Sequence, residues 1–251
     1  MSGEPVTFLG DGMAAIIESI ANVTEILGQP PVVVGGLAVL CRVTTQHRVT
    51  ADLDLVDRLR GSAPQLQVLR AANGAESLMP AAALLPTRFG KVRVDVLEVR
   101  QNEIDAPSDD PGDRLHASAH AWAYETASAV VMEATHSGGG HLSATTLVAE
   151  PGPLVAMKLQ AVMDRDAAKQ GTDLQDIIRL SLDPKSRGRM LGQISTCGEP
   201  MAHDIAWHVD HWLVTHRSRS LAWIRRSGGA DVALDDLDLT AELLLGACRR
   251  V

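Results

Sequence analysis

The sequence predicts an α+β fold, a mixed-sheet α/β domain over residues 1–150 followed by a helical domain over 151–251, and three observations carry that reading. Val32-Val33-Val34 is a β-branched run stopped by Gly35-Gly36, the pattern of a short buried strand. Residues 52–56 and 92–97 alternate polar side chains with Leu or Val, the pattern of half-buried strands. From Leu154 onward the apolar residues recur at helical spacing, so the last hundred or so residues read as helices.

Taken in order, Ile16, Ile17, Ile20, Val23 and Ile26 predict an amphipathic helix over 13–27 that ends near Gly28. Pro30 and Pro31 lead into the strand at 32–34, and a second helix can start over 37–43. The stretch 101–113, with Pro107, Pro111 and several acids, reads as a surface loop, followed by a helix through Ser128. Strand-like runs at 129–134 and 141–149 complete a mixed sheet before Glu150-Pro151-Gly152-Pro153 interrupts the pattern. The domain boundary is placed there. Helices are then expected over 154–166, 173–182, 200–215 and 235–249.

Composition narrows the function. With 45% hydrophobic residues the chain can bury a core. It has no run of about eighteen apolar residues, and Met1 to Gly10 lacks the pattern of a secretory signal. A cytoplasmic protein with no membrane partner is expected. Cys41, Cys197 and Cys248 are widely spaced and form no CxxC, so neither a disulfide framework nor a zinc knuckle is indicated. A net charge of -8 opposes a general nucleic-acid coat, and 3% aromatics are too few for a platform reading single strands base by base. Contact with a polyanion would have to be local.

The residues that suggest chemistry are acidic. Asp52 and Asp54 are two apart on a strand and so share a face. Asp95 would add a third oxygen ligand if its strand lies beside theirs, a set that suits hard Mg²⁺ together with substrate phosphates. Two such ions would clamp an in-line phosphoryl displacement. Gly35 and Gly36 allow backbone N–H groups at a helix start to approach a triphosphate. Alone, the Asp pair would read as the wet face of an edge strand. The glycine pair upstream and Val-Asp-Val downstream outweigh that.

Val33-Val34-Gly35-Gly36-Leu37-Ala38-Val39, followed by Arg48-Val49-Thr50-Ala51-Asp52-Leu53-Asp54-Leu55, resembles the glycine-pair and R-x-T-x-D-x-D motif of polymerase-β-type nucleotidyltransferases. The helix from Leu154 to Ala161, with Lys158, and the later Asp173-Leu174-Gln175-Asp176 resemble the lysine and D-x-x-D motifs of AbiE-type and MenT-type toxin nucleotidyltransferases. The resemblance runs from about Val33 to Leu182. It implies a nucleotidyltransferase-like sheet domain with a helical C-terminal half. Asp52, Asp54 and Asp95 would hold Mg²⁺, or Mn²⁺ in its place. Gly35, Gly36, Arg48, Thr50 and Lys158 would bind the nucleoside triphosphate, and Asp173 would complete the catalytic set from the helical side. The implied acceptor is RNA, a transfer-RNA 3′ end in the MenT branch, and a toxin would have a cognate antitoxin. Leu37 departs from the Ser or Thr found there in many relatives.

Two alternatives stay open: transfer to a small molecule, as in aminoglycoside nucleotidyltransferases, and a degenerate module that binds nucleotide or a partner without turnover. Lys158, Arg165 and Lys169, at i, i+7 and i+11, are read as one basic helix face. Lys185, Arg187, Arg189, Arg217, Arg219, Arg225 and Arg226 are the local basic residues available to RNA, or to acids such as Asp231, Asp235 and Asp236. Asp204, His208 and His211 are read as helix packing rather than a metal site, and Gly138-Gly139-Gly140 as a hairpin turn rather than a phosphate loop.

Overall fold

The computed structural model describes residues 4–251, with residues 167 and 168 described by backbone alone. Residues 1–3, the start of the stretch read as lacking a secretory signal, lie outside the described residues. In chain order the elements are β1 (Val6–Leu9), α1 (Asp11–Leu27), β2 (Val32–Val34), α2 (Gly35–Arg42), β3 (Asp52–Asp57), α3 (Gln65–Ala71), β4 (Glu76–Leu78), β5 (Ala82–Thr87), β6 (Gly90–Glu98), α4 (Gln101–Asp105), α5 (Pro111–Thr126), β7 (Ser128–Thr135), β8 (His141–Val148), α6 (Pro151–Asp164), α7 (Ala167–Leu182), α8 (Arg187–Ile194), α9 (Glu199–Val209), a π-helical segment (Asp210–Thr215), α10 (Arg217–Arg226) and α11 (Leu234–Cys248). The architecture is mixed α/β. Among the described residues no helix is long and apolar enough to cross a membrane.

The chain divides into two units. The first comprises Met1–Cys41, Gln46–Arg100 and Ala123–Ala149; the second comprises Arg42–Thr45, Gln101–Trp122 and Glu150–Val251. One division falls beside Glu150, but segments 42–45 and 101–122 group with the later helices rather than with residues 1–150.

The first unit carries one eight-stranded sheet of order β1-β7-β8-β2-β3-β6-β5-β4. β2 is paired on both edges, parallel to β8 and antiparallel to β3, which is why its three valines are all buried. β3 and β6 run parallel, Leu53 beside Val94 and Leu55 beside Val96, all buried. α1 crosses the sheet with Ile16, Ile17, Ile20 and Val23 buried and ends at Gly28, whose φ of 70° is the left-handed cap that glycine accepts. Residues 138–140 form the turn of the β7–β8 hairpin, closed by His136 N–H on the Gly140 carbonyl at 3.1 Å.

Local chemistry corrects several expectations. The acidic stretch 101–113 is not a loop: it holds α4 and the start of α5, because Asp110 accepts from the N–H groups of Gly112 and Asp113 at 2.8 and 3.0 Å and Pro111 occupies the first turn. Pro151 likewise occupies the first turn of α6, there without a side-chain cap. The helix expected over 154–166 stops at Asp164, Arg165 is extended, and Asp166 caps α7 by accepting from Lys169 N–H at 3.0 Å. Lys158, Arg165 and Lys169 therefore do not share a helix face, and Asp173 lies inside α7 rather than at its cap.

Candidate active site

Within the first unit, register fixes the acidic face. Asp52 pairs with Arg93 and Asp54 with Asp95 across the parallel β3–β6 ladder. Alternation then puts Asp52, Asp54, Arg93 and Asp95 on one face, half-buried, while Leu53, Leu55, Val94 and Val96 are buried on the other. Arg93 grips Asp95 with two hydrogen bonds of 2.7 Å, from Nε and Nη2. Its pKa is raised first by that bond and further by the charges of Asp95, Asp52 and Asp54, against the opposing cost of burial. One guanidinium thus answers a field that three carboxylates create together.

The start of α2 adjoins this face. β2 pairs Val34 with Asp54, so the strand end delivers Gly35 beside that carboxylate. Gly35 has φ 64°, and a Cβ there would stand 1.9 Å from Asp54 Oδ2 and 2.8 Å from Asp54 Cβ; only glycine fits. A Cβ on Gly36 would meet Arg48 Nη2 at 2.6 Å. Arg48 therefore lies against the first turn of α2, and Thr50 Oγ1 donates to the Asp52 carbonyl at 3.3 Å. Leu37 is fully buried in the core and offers nothing to a phosphate. A helix N-terminus with a guanidinium against it favours anions, while the carboxylate face beside it favours cations. Both are what a metal-bound polyphosphate requires.

The donor chemistry fits Mg²⁺, since Asp52, Asp54 and Asp95 offer hard oxygen ligands on one face and Arg93 already responds to their combined field. Asp95 is turned to Arg93 and would have to share its carboxylate. Among the described residues no three His, Cys, Asp or Glu side chains are gathered as a ready cage.

Lys158 and Asp173 belong to the second unit, and there Lys158 is not the exposed cation of a basic stripe. Its ammonium is buried, 2.5 Å from Asp173 Oδ1 and 2.9 Å from Asp176 Oδ2, and both aspartates are fully buried. Asp173 Oδ2 meets Arg165 Nη1 at 3.4 Å. Two acids one helical turn apart on α7 thus hold a cation from α6. Asp204 is likewise taken up by Arg114, at 2.7 and 2.6 Å, and the His208 ring faces the Asp204 carbonyl at 2.8 Å. Arg189 pairs with Glu150, Arg217 with Asp238, and Asp231 with Arg179.

Sequence reasoning missed Arg93. Its signal was available, since Arg93 and Asp95 are two apart on a strand and must share a face. No protein-family model matches the chain, and no curated protein or solved structure matches it either.

Proposed function

We propose that the chain is a Mg²⁺-dependent nucleotidyltransferase, a toxin-like enzyme that transfers a nucleoside monophosphate from a nucleoside triphosphate to RNA, with a transfer-RNA 3′ end as acceptor, and releases pyrophosphate. The observation that supports it is the face shared by Asp52, Asp54 and Asp95 beside a glycine-built helix start covered by Arg48. Asp52, Asp54 and Asp95 would hold the metal, whose charge offsets that of the triphosphate. Gly35 and Gly36 let Asp54 and Arg48 approach the start of α2 closely, and Arg48 would supply a positive charge there for phosphate oxygens. Lys158 and Asp173, bound to each other, serve by holding α6 to α7. A cognate antitoxin and a cytoplasmic setting belong to the same reading.

Arg93 and Leu37 favour a second reading, in which the chain binds nucleotide or a protein partner without turnover: Arg93 occupies a carboxylate that the metal needs, and Leu37 is buried where a hydroxyl would meet phosphate. Incubation with α-labelled nucleoside triphosphates, Mg²⁺ and total RNA separates the two. Label on RNA supports transfer; label on a small acceptor points instead to an aminoglycoside-type enzyme. No label, with nucleotide still bound, sinks the enzymatic reading.

A further inference from the structure

Aromatic residues make up only 3% of the chain, yet three of its four tryptophans, Trp207, Trp212 and Trp223, are gathered in one place in the second unit. The cause is a change of helical pitch. After α9 the backbone turns π-helical over Asp210–Thr215, and His216 N–H donates to the His211 carbonyl at 3.0 Å, an i to i+5 bond. Such segments are rare and frequent at functional sites. Here the wide turn sets the His211 and His216 rings 4.6 Å apart and stacks His211 on Trp207, 5.5 Å between centroids with planes 15° apart. The rings continue through Trp212, 4.5 Å from His211, to Trp223 on α10, 5.9 Å from Trp212. Arg219 lies over both indoles, 4.9 Å from the Trp223 centroid and 5.7 Å from that of Trp212.

α10 itself reads Arg-Ser-Arg-Ser-Leu-Ala-Trp-Ile-Arg-Arg, four arginines and no acid. It is seated closely on α7, since a Cβ on Gly171 would stand 2.2 Å from the Trp223 carbonyl oxygen. Arg217 is engaged by Asp238 at 2.9 Å, while Arg219, Arg225 and Arg226 are exposed. Nearby acids have partners of their own: Asp231 pairs with Arg179, and Asp210 accepts from Thr215 Oγ1 at 3.2 Å. Trp207 is 41% exposed. Burial, then the charges of His216 and Arg219, hold His211 below the usual histidine range, against a smaller opposing pull from Asp210.

We propose that α10 and the Trp207–His211 ring stack form a binding surface for single-stranded RNA. The exposed Trp207 ring, backed by the half-buried His211, offers a stacking partner to an unpaired base, and the exposed arginines of α10 offer charge to the phosphates. An acidic peptide would satisfy the arginines but leave the ring stack without a role. The inference rests on the RNA-acceptor reading for its purpose and assigns that acceptor a surface on the second unit.

The test uses the full chain and a fluorescein-labelled single-stranded oligoribonucleotide of about twelve nucleotides, within the span of known single-strand sites. Binding is followed by anisotropy and by quenching of tryptophan emission. Trp207→Ala and Arg219→Ala should each weaken binding roughly ten-fold. Arg225→Glu combined with Arg226→Glu should weaken it further and flatten the plot of log affinity against log salt by at least about one unit. All four positions are exposed, and circular dichroism checks that the variants fold. Unchanged affinity in the folded variants overturns the proposal, as does polyglutamate competing as well as RNA, which would assign the surface to an acidic protein. A wild-type chain that binds the oligonucleotide as described but incorporates no nucleotide sinks the enzymatic reading alone; one that labels RNA while the variants bind normally sinks this surface alone.

Discussion

On β3 and β6 of the first unit, Asp52, Asp54 and Asp95 stay half-buried around one guanidinium; in the second unit, Asp173 and Asp176 are fully buried and close on one ammonium. Both sets are closely spaced aspartates with a cation. Spacing and secondary structure separate their fates. Residues two apart on a strand share the face turned away from the core, so their charge stays accessible. Residues three apart on a helix share the stripe that packs on a neighbouring helix, so their charge must be met inside the protein. An acidic pair left on an open face can serve a ligand, whereas one sealed in a core is committed to its own partner.

The largest test of that contrast breaks the sealed set. Lys158→Ala removes the ammonium that two buried carboxylates share and leaves Asp173 its longer contact to Arg165, and breaking a buried pair in this way costs about 3–5 kcal/mol. Urea unfolding of the variant should show such a loss. Replacing all three partners with apolar residues, Lys158→Met with Asp173→Leu and Asp176→Leu, should recover much of it. If Lys158→Ala keeps wild-type stability and loses only nucleotide transfer, Lys158 acts on the substrate after all.

The open set should respond in the opposite way. Asp54→Ala is expected to lower RNA labelling at least about a hundred-fold, equivalent to roughly 2.7 kcal/mol of barrier. Its folding stability should hold or rise, because one of three neighbouring negative charges is removed. Near-full activity of this variant with Mg²⁺ would end the assignment of the metal face.

A smaller effect probes how dry the second unit is. His120 is pushed down to about 3, first by burial and then by the charges of His116 and Arg165, and its Nδ1 lies 2.7 Å from the His116 carbonyl. Between that value and the unfolded value of about 6.5, the unfolded chain holds a proton that the folded chain lacks. The stability is fully present above pH 6.5 or so and falls as the pH drops, levelling off near pH 3. From pH 7 to pH 5 the loss should be about 2 kcal/mol, read by urea unfolding at the two values. His120→Gln should flatten that dependence only in part, since burial lowers His208 as well. An unchanged slope in the variant would place the titration elsewhere.

Much of the acidic face was legible because alternation fixes which residues share a face. Asp52, Asp54 and the Val92 to Leu97 alternation needed only that rule. Their adjacency did not follow, since the parallel β3–β6 pairing joins strands that lie apart in the sequence. The fate of Lys158 was hidden for a related reason. A lysine on a helix reads as solvated unless its partners are known, and these come from a different helix. The break at Arg165 carries no Gly or Pro, so the pattern ran on through it. β1 and β4 are edge strands of four and three residues, and β5 includes Pro86, which argues locally against a strand.

The smallest expected effect bears most directly on whether the open face holds a metal. Arg93 is the cation that grips Asp95, and it is 42% exposed, so that pairing is worth no more than about 1 kcal/mol. Arg93→Ala removes that charge and frees Asp95 while leaving the β3–β6 ladder intact. Without Mg²⁺ the variant should melt slightly below wild type, by about 2–4 °C. A ligand that binds only the folded state stabilises it in proportion to the logarithm of its concentration over its dissociation constant. If Mg²⁺ competes with Arg93 for Asp95, removing the competitor strengthens binding, and added Mg²⁺ should raise the melting temperature of the variant more than that of wild type. Ca²⁺ at equal ionic strength serves as the control for larger hard cations, and K⁺ for screening alone. Equal shifts in variant and wild type would mean that Arg93 and the metal do not share a site, and would favour the reading in which this face binds its partner without turnover.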